Sequence, residues 1–356
     1  MFRIVKKSET TRLQATVIIS TAIILAILVT SIFISAIGFN PIEVYGSMLK
    51  GSFGSSSKLK RTIIIAIPLL ITSLGIAVAF KMQFWNIGGE GQILMGGFGA
   101  AFIALNFAYL PKPIVLILMA ISGMLCGGLW ALLPAFLKSK WGTNETIVTL
   151  MMNYIALKWI TFLQYDKWKD PNSMGFPKIA NFEDNAVLPR VFDIHIGWII
   201  ALILVVVMYI FMNYTKKGYE ISVLGESVKT AKYAGININK TMITAILLSG
   251  GLCGLVGMIQ TSAVSNTLSI EISGGVGFTA IIVTWLGALS APIILIVSVL
   301  FAALLQGGAY IQTAFGIPAA AASVLQGMIL FFVLGSDFFI RYRLVLEKNI
   351  KVKGAK

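Results

Sequence analysis

Apolar residues fall into ten blocks separated by short polar stretches: 13–37, 62–80, a block emerging from 84–97 and ending near 110, 114–137, 146–165, 197–214, 241–263, 276–289, 292–313 and 318–340. Most are near the ~20 residues that a helix needs to cross ~30 Å of hydrocarbon. The pattern predicts an all-α integral membrane protein of about ten transmembrane helices. The first block is longer than the ~7–15 apolar residues of a signal peptide and predicts an uncleaved span. Between the blocks the chain divides into a basic leader at 1–12, the first span at 13–37, a four-span segment at 62–165 and a polar connection at 166–196. A sixth span at 197–214, a basic loop at 215–240, a second four-span segment at 241–340 and a basic tail at 341–356 complete it. G-S-F-G-S-S-S at 51–57 reads as a flexible loop, and Asn40-Pro41 as the end of the first span.

One stretch breaks the monotony. F-W-N-I-G-G-E-G-Q-I-L-M-G-G at 84–97 puts Asn86, Gly88, Gly89, Glu90, Gly91 and Gln92 at the entry to a membrane span. Glycines loosen the helix there, and the carboxylate and amides must be hydrated or paired. A broken helix results, tightly packed or lining an aqueous path. Gln92 lies about 200° round a helix from Glu90, so both face one path only if the helix is interrupted between them.

The same glycine pattern returns. G-G-E-G-Q-I-L-M-G-G-F-G-A at 88–100 resembles G-G-V-G-F-T-A-I-I-V-T-W-L-G-A at 274–288, including Gly274, Gly275, Gly277 and Phe278. Each copy is followed by a proline turn, a Gly-Gly pair with an aromatic (Gly127-Gly128 and Trp130; Gly307-Gly308 and Tyr310) and a glycine before another span. Spans two to five therefore repeat as spans seven to ten. Five spans separate the copies, an odd number, so the repeats have opposite orientations in the membrane. Inverted repeats with broken helices are a transporter architecture, with the path at the repeat interface. The two glycine stretches are expected to face each other across it.

Composition narrows the function. Hydrophobic residues make up 57% and charged residues 12%, against ~25% charged in soluble domains. The net charge of +14 is not that of a nucleic-acid binder, because the basic residues flank the apolar blocks. With both termini cytoplasmic, 18 of the 28 basic residues fall in inside segments and nine outside, as positive-inside topology requires. Lys158, near one end of the fifth span, is read as reaching the interface along its aliphatic stem. Cys126 and Cys253 lie in apolar blocks and His195 is the single histidine, which argues against disulfides, metal centres and histidine-based catalysis. There is no G-x-x-x-x-G-K-[ST] phosphate loop and no G-x-S-x-G elbow, so the chain reads as neither an ATPase nor another enzyme.

The basic loop reads T-K-K-G-Y-E-I-S-V-L-G-E-S-V-K-T-A-K-Y-A-G-I-N-I-N-K. Between Gly225 and Gly235 it suggests one short amphipathic helix carrying Ala231 and Tyr233, either a solvated linker or a docking element. This loop, followed by S-G-G-L-C-G-L-V-G, resembles the permease subunits of ABC importers of the ribose, nucleoside and branched-chain amino acid type. N-I-G-G-E-G-Q, T-N-E-T-I-V-T-L-M-M-N-Y-I at 143–155 and G-V-G-F-T-A-I at 275–281 match further motifs of that family, and the resemblance spans about 60–350. Among its branches the chain is most similar to nucleoside and simple-sugar permeases.

The resemblance implies a type II-like importer fold and a pore formed with a second permease, alike or different. It also implies cytoplasmic ATPase subunits docked at Gly225, Ala231, Tyr233 and Gly235, an extracellular solute-binding lipoprotein, and no cofactor in this chain, ATP being bound by the partner. An ion-coupled secondary transporter is the alternative that inverted repeats alone would suit. Glu90 is then either an acceptor at the start of a broken helix, where the dipole favours it, or a pore-facing carboxylate. Asn86 reads as an N-cap-type residue and Glu145 as a cap of the fifth span. Asn153, Gln260, Gln306 and Gln326 either line the path or hydrogen-bond between helices. Trp85, Trp130, Phe278 and Trp285 either pack or stack on a solute ring.

Overall fold

The computed structural model describes residues 2–6, 12–171, 173, 175 and 177–346. Residues 7–11 of the expected leader and 347–356 of the tail lie outside the described residues. In chain order the elements begin with β1 (Phe2–Lys6), α1 (Arg12–Ala36), α2 (Pro41–Phe53), α3 (Ser56–Lys81), α4 (Gly89–Asn106), α5 (Lys112–Trp141) and α6 (Glu145–Phe162). A π turn, Leu163–Lys167, prolongs α6. The hairpin strands β2 (Arg190–Val191) and β3 (Ile194–His195) precede α7 (Gly197–Tyr214), α8 (Lys216–Glu226), α9 (Val228–Tyr233) and α10 (Ile238–Ile259). A second π turn, Gln260–Ser265, prolongs α10, followed by α11 (Val276–Leu286), α12 (Ala291–Phe315), α13 (Ala319–Arg341) and β4 (Tyr342–Leu346).

All ten apolar blocks are helical. Eight of the described helices are long and apolar enough to cross a membrane. The other two blocks are α4, of 18 residues with a polar start, and α11, of 11 residues, the two that grow out of the glycine repeats. Three helices lie outside the predicted blocks. One is α2, where a loop was expected. Asn40 does not merely end a span: its Oδ1 accepts from the Ile42 N–H at 3.0 Å, and Pro41 occupies the first helical position, where no N–H is missed. Gly51 is therefore helical, its Cα pressed against the Tyr310 side chain. The other two are α9, which lies within the helix expected between Gly225 and Gly235, and α8, which precedes it and was not expected.

The chain forms two compact units. In the unit made of residues 1–55 and 303–356, α1 packs along α13, and Ile34, Val44, Met48, Ile311, Ile317, Ala322 and Leu325 form its core. The Tyr45 hydroxyl ties α2 to the Ile27 carbonyl at 3.0 Å. The strands β1 and β4 pair antiparallel, Phe2 opposite Leu346.

The unit of residues 56–302 is built round α3 and α10. Both are apolar on all faces and buried along most of their length, as an all-round apolar helix must be inside a bundle. Helix α10 packs along α5, α4 and α3, and α11 packs on α3. The first helix of each repeat thus holds the second helix of the other, the exchange that a two-fold relation requires. The contacts are backbone-close. A Cβ on Gly254 would meet the Gly123 carbonyl and one on Gly257 the Ile93 carbonyl, the small-residue packing by which membrane helices approach without a hydrophobic driving force.

The polar connection covers the C-terminal end of α10 and its π turn. The Phe182 N–H donates to the Asn266 carbonyl at 2.8 Å, the Leu188 N–H to Ser262 at 3.3 Å, and the Thr267 hydroxyl to Ile179 at 2.9 Å. Its hairpin turns through Phe192 and Asp193, both at positive φ, and Asp193 pairs with Lys60 at 2.6 Å. His195 is buried there with neither ring nitrogen hydrogen-bonded among the described residues. Burial, reinforced by Arg190, pushes its pKa down to about 4, so the imidazole is neutral.

Candidate functional site

The site begins where α3 stops. Gln83 takes a left-handed φ of 59°, while the Phe84 N–H donates to Ala79 at 3.0 Å and the Gln83 N–H to Phe80 at 2.9 Å. This is a Schellman ending, with glutamine in the place glycine usually holds. The chain then doubles back through 84–88, and α4 starts at Gly89.

Side chains from two neighbouring helices hold that returning segment. The Asn86 amide donates to Gln92 at 3.2 Å and to the Ser249 hydroxyl of α10 at 3.1 Å, and its oxygen accepts from the Gly88 N–H at 3.0 Å. From α6, Thr149 accepts from the Ile87 N–H at 3.2 Å. Asn153 works at both ends: its oxygen takes the Gly91 N–H at 2.8 Å, and its amide reaches the Ile87 carbonyl at 2.9 Å. Orphan groups at a helix start cost about 1–3 kcal/mol each when buried unpaired, and this network removes several. Asn86 stabilises the helix start from two residues ahead, but the N-cap position belongs to Gly88.

The second copy meets the first here. Glu90 Oε1 accepts from the Gly277 N–H at 3.0 Å, with the Ser273 hydroxyl and the Phe278 N–H also directed at the carboxylate. Glu90 stands in the first turn of α4 and covers the N-terminus of α11, where exposed N–H groups and the helix dipole favour a negative charge. A Cβ on Gly277 would strike the backbone of Gly89 and Glu90. The two glycine stretches are therefore in direct contact within this chain, where the sequence suggested a gap between them. Gly274 and Gly275, at φ 50° and 79°, turn the chain into α11, and Phe278 is 46% exposed. Below the junction the Ser73 hydroxyl donates to Ala280 at 3.2 Å, and Thr284 donates to Ser73 at 3.0 Å.

The remaining candidates divide. Trp85 and Trp285 stack on each other at 5.5 Å, with Phe80 5.2 Å from Trp85. Trp130 has a buried Nε1 with no partner among the described residues. Gln260 opens the π turn after α10. Gln306 and Gln326 belong to the other unit, and the Gln326 side chain fills the space beside Gly308. Glu145 is not the cap of α6: Asn144 is, accepting from the Thr146 N–H at 3.0 Å. Glu145 instead pairs with Lys138 at 2.5 Å.

On the opposite side of the returning segment lie α8 and α9. Ser227 separates the two, ending α8 and capping α9, the helix expected between Gly225 and Gly235, its hydroxyl accepting from the Thr230 N–H at 3.2 Å. Gly225 is consequently inside α8, its Cα against the Lys81 carbonyl at the end of α3. Ala231 is buried and Tyr233 is 93% exposed, while Gly235, at φ 72°, closes α9. A cavity of about 280 Å³ lies between these helices and the returning segment, lined among others by Gln83, Phe84, Lys138 and Gly225.

Sequence reasoning missed Thr149, Ser249, Ser73 and Ser273. Thr149 was the findable one, since it precedes Asn153 by four residues and shares its helix face.

The described chain thus joins eight helices long and apolar enough to cross a membrane to two glycine-entered helices in direct contact and a short polar helix pair. Residues 59–334 match the family described as branched-chain amino acid transport system / permease component. The chain belongs to this family: it is a multi-pass permease subunit of an ATP-binding-cassette transporter, without enzymatic activity, working with a separate ATPase subunit and a binding protein. It is 30% identical over 90% of its length to a glucose ABC transporter permease protein of Haloferax volcanii, covering 87% of that protein. It is 32% identical over 94% of its length to a nucleoside ABC transporter permease protein of Lactococcus lactis, covering 94% of it. A guanosine ABC transporter permease protein of Bacillus subtilis is 30% identical over 94% of this chain and 96% of its own.

Proposed function

We propose that the chain forms the pore of an importer for nucleosides or related simple sugars and small polar solutes. Its near full-length similarity to nucleoside, guanosine and glucose permeases carries this reading. A second permease, identical or different, completes the pore, and an extracellular lipoprotein delivers the solute. Both termini are cytoplasmic, which puts α8 and α9 on the side of the ATPases. ATP binds to those subunits, and this chain holds no cofactor.

In this reading α9 docks the ATPase, with Tyr233 exposed for contact and Ala231 seating the helix. Gly225 passes movement to the end of α3 and from there to the segment at 84–88. The Glu90–Gly277 junction is the pivot between the two repeats, beside the path. Asn86, Gln92 and Asn153 keep the pivot's shape. The test is uptake of a radiolabelled nucleoside into proteoliposomes holding this permease with its ATPase, second permease and binding protein, competed with ribose and glucose. ATP-dependent uptake displaced by nucleosides is expected; no uptake of either solute class overturns the reading.

A further inference from the structure

Lys158 lies near the middle of the candidate span that carries it. Helix α6 and its π turn form one candidate span, Glu145–Lys167, of 23 residues. Its midpoint is residue 156, so at ~1.5 Å per residue Lys158 lies only about 3 Å beyond it along the axis. Half of the hydrocarbon thickness is ~15 Å, which leaves about 12 Å to the interface. A four-carbon stem covers only part of that distance.

The face on which it lies is settled by burial. Thr149, Met152, Asn153, Ala156 and Ile160 are the buried side of α6. Met151, Tyr154, Ile155 and Phe162 are exposed on the other, and Lys158, also exposed, is at the centre of that stripe. It has no hydrogen bond or ion pair among the described residues. Isoleucine, methionine and phenylalanine tolerate lipid; an ammonium at mid-membrane costs about 2.5–3.5 kcal/mol even on insertion scales. Charges at that depth face water-filled cavities or polar partners.

We infer that this face of α6 lines the aqueous translocation path, and that Lys158 donates to an acceptor oxygen of the passing solute, with Tyr154 one turn away. This rests on the reading of the chain as a nucleoside or sugar permease and adds a specificity-determining residue to it. An ammonium has three donors and no acceptor. It therefore selects solutes by their acceptor oxygens, whether a base carbonyl or a sugar hydroxyl, and repels cationic ones.

The experiment uses the complete transporter in proteoliposomes with labelled nucleoside. Loss of one charge-assisted hydrogen bond, about 1.5–3 kcal/mol, corresponds to roughly a 10–100-fold rise in KM for Lys158→Met, with Lys158→Arg much closer to wild type. In parallel, Lys158→Cys is treated with a membrane-impermeant cationic thiosulfonate. Wild type, whose Cys253 is buried and Cys126 half-buried, supplies the background. Labelling that nucleoside slows is the expected result. No labelling above background puts the side chain in lipid or a subunit contact and overturns the inference. Labelling without protection, or an unchanged KM in Lys158→Met, overturns the solute contact. If wild type moves neither nucleoside nor sugar, the functional reading fails, and the labelling still reports whether the face is wet.

Discussion

The two copies of the glycine repeat start helices by opposite means. At 84–92 the turn is held by side chains: Asn86, Gln92, Thr149, Asn153 and Ser249 account for the amides and carbonyls that the doubling-back exposes. At 274–278 the turn is held by backbone conformation, two left-handed glycines, and its one buried acceptor, Glu90, is lent by the first copy. Val276 occupies the position corresponding to Glu90. The first copy is an anchored start and the second a borrowed one. An inverted repeat therefore does not give equal mechanical roles, and the copy that owns the polar residues fixes the geometry of both.

Four outcomes would sharpen or break this contrast. The largest effect is expected for Gly277→Ala, whose methyl must displace backbone on α4. The cost exceeds the ~1–3 kcal/mol of an over-packed side-chain core, and fluorescence-detected size exclusion should show loss of the monodisperse peak. A wild-type profile would mean the two starts do not touch. Next, Asn153→Ala orphans the Gly91 N–H and the Ile87 carbonyl, about 2–6 kcal/mol over the two groups. The melting temperature of the purified complex reads this, and a shift as small as that of an exposed site would refute side-chain anchoring.

Acid should separate the copies. The polar connection clamps Asn266 and Thr267, on the approach to the second copy, and it contains His195. Unfolded, this histidine takes up a proton as pH falls below about 6.5, whereas in the folded chain it stays neutral to about 4. Its contribution to stability is complete above 6.5 and lost progressively from there to 4, about 3 kcal/mol in all. Hydrogen exchange at 266–275 should rise across that window while 84–92 stays protected; equal loosening of both would erase the distinction. The smallest effect is expected for Phe278→Ala, within ~0.5 kcal/mol in thermal stability as for other exposed sites. A large loss there would show that the second copy has an anchor of its own.

How legible was this beforehand? The ten apolar blocks gave ten helices, because block length and hydropathy act locally. The glycine repeat was visible too, and with it the expectation of broken helices. What connects the copies was not: Glu90 and the Gly277 N–H are far apart in the chain, and only the packing of α3, α4, α10 and α11 brings them together. Asn40-Pro41 looked like a terminator because proline ends helices as well as starting them, and α2 was lost. Ser227 was a cap signal hidden between two glycines that seemed the natural limits of one helix. Lys158 was read as within reach of the interface although its block, 146–165, already placed it near the middle; only the burial pattern of α6 shows which face it lies on.

The meeting of Gly225 with the Lys81 carbonyl has a consequence for how such proteins diversify. It is main chain against main chain, so its stiffness depends on no side chain's chemistry. With α9 docking the ATPase as proposed, its exposed surface could be rewritten to suit a different motor protein without altering the main-chain contact behind it, a coupling whose socket is variable and whose shaft is not.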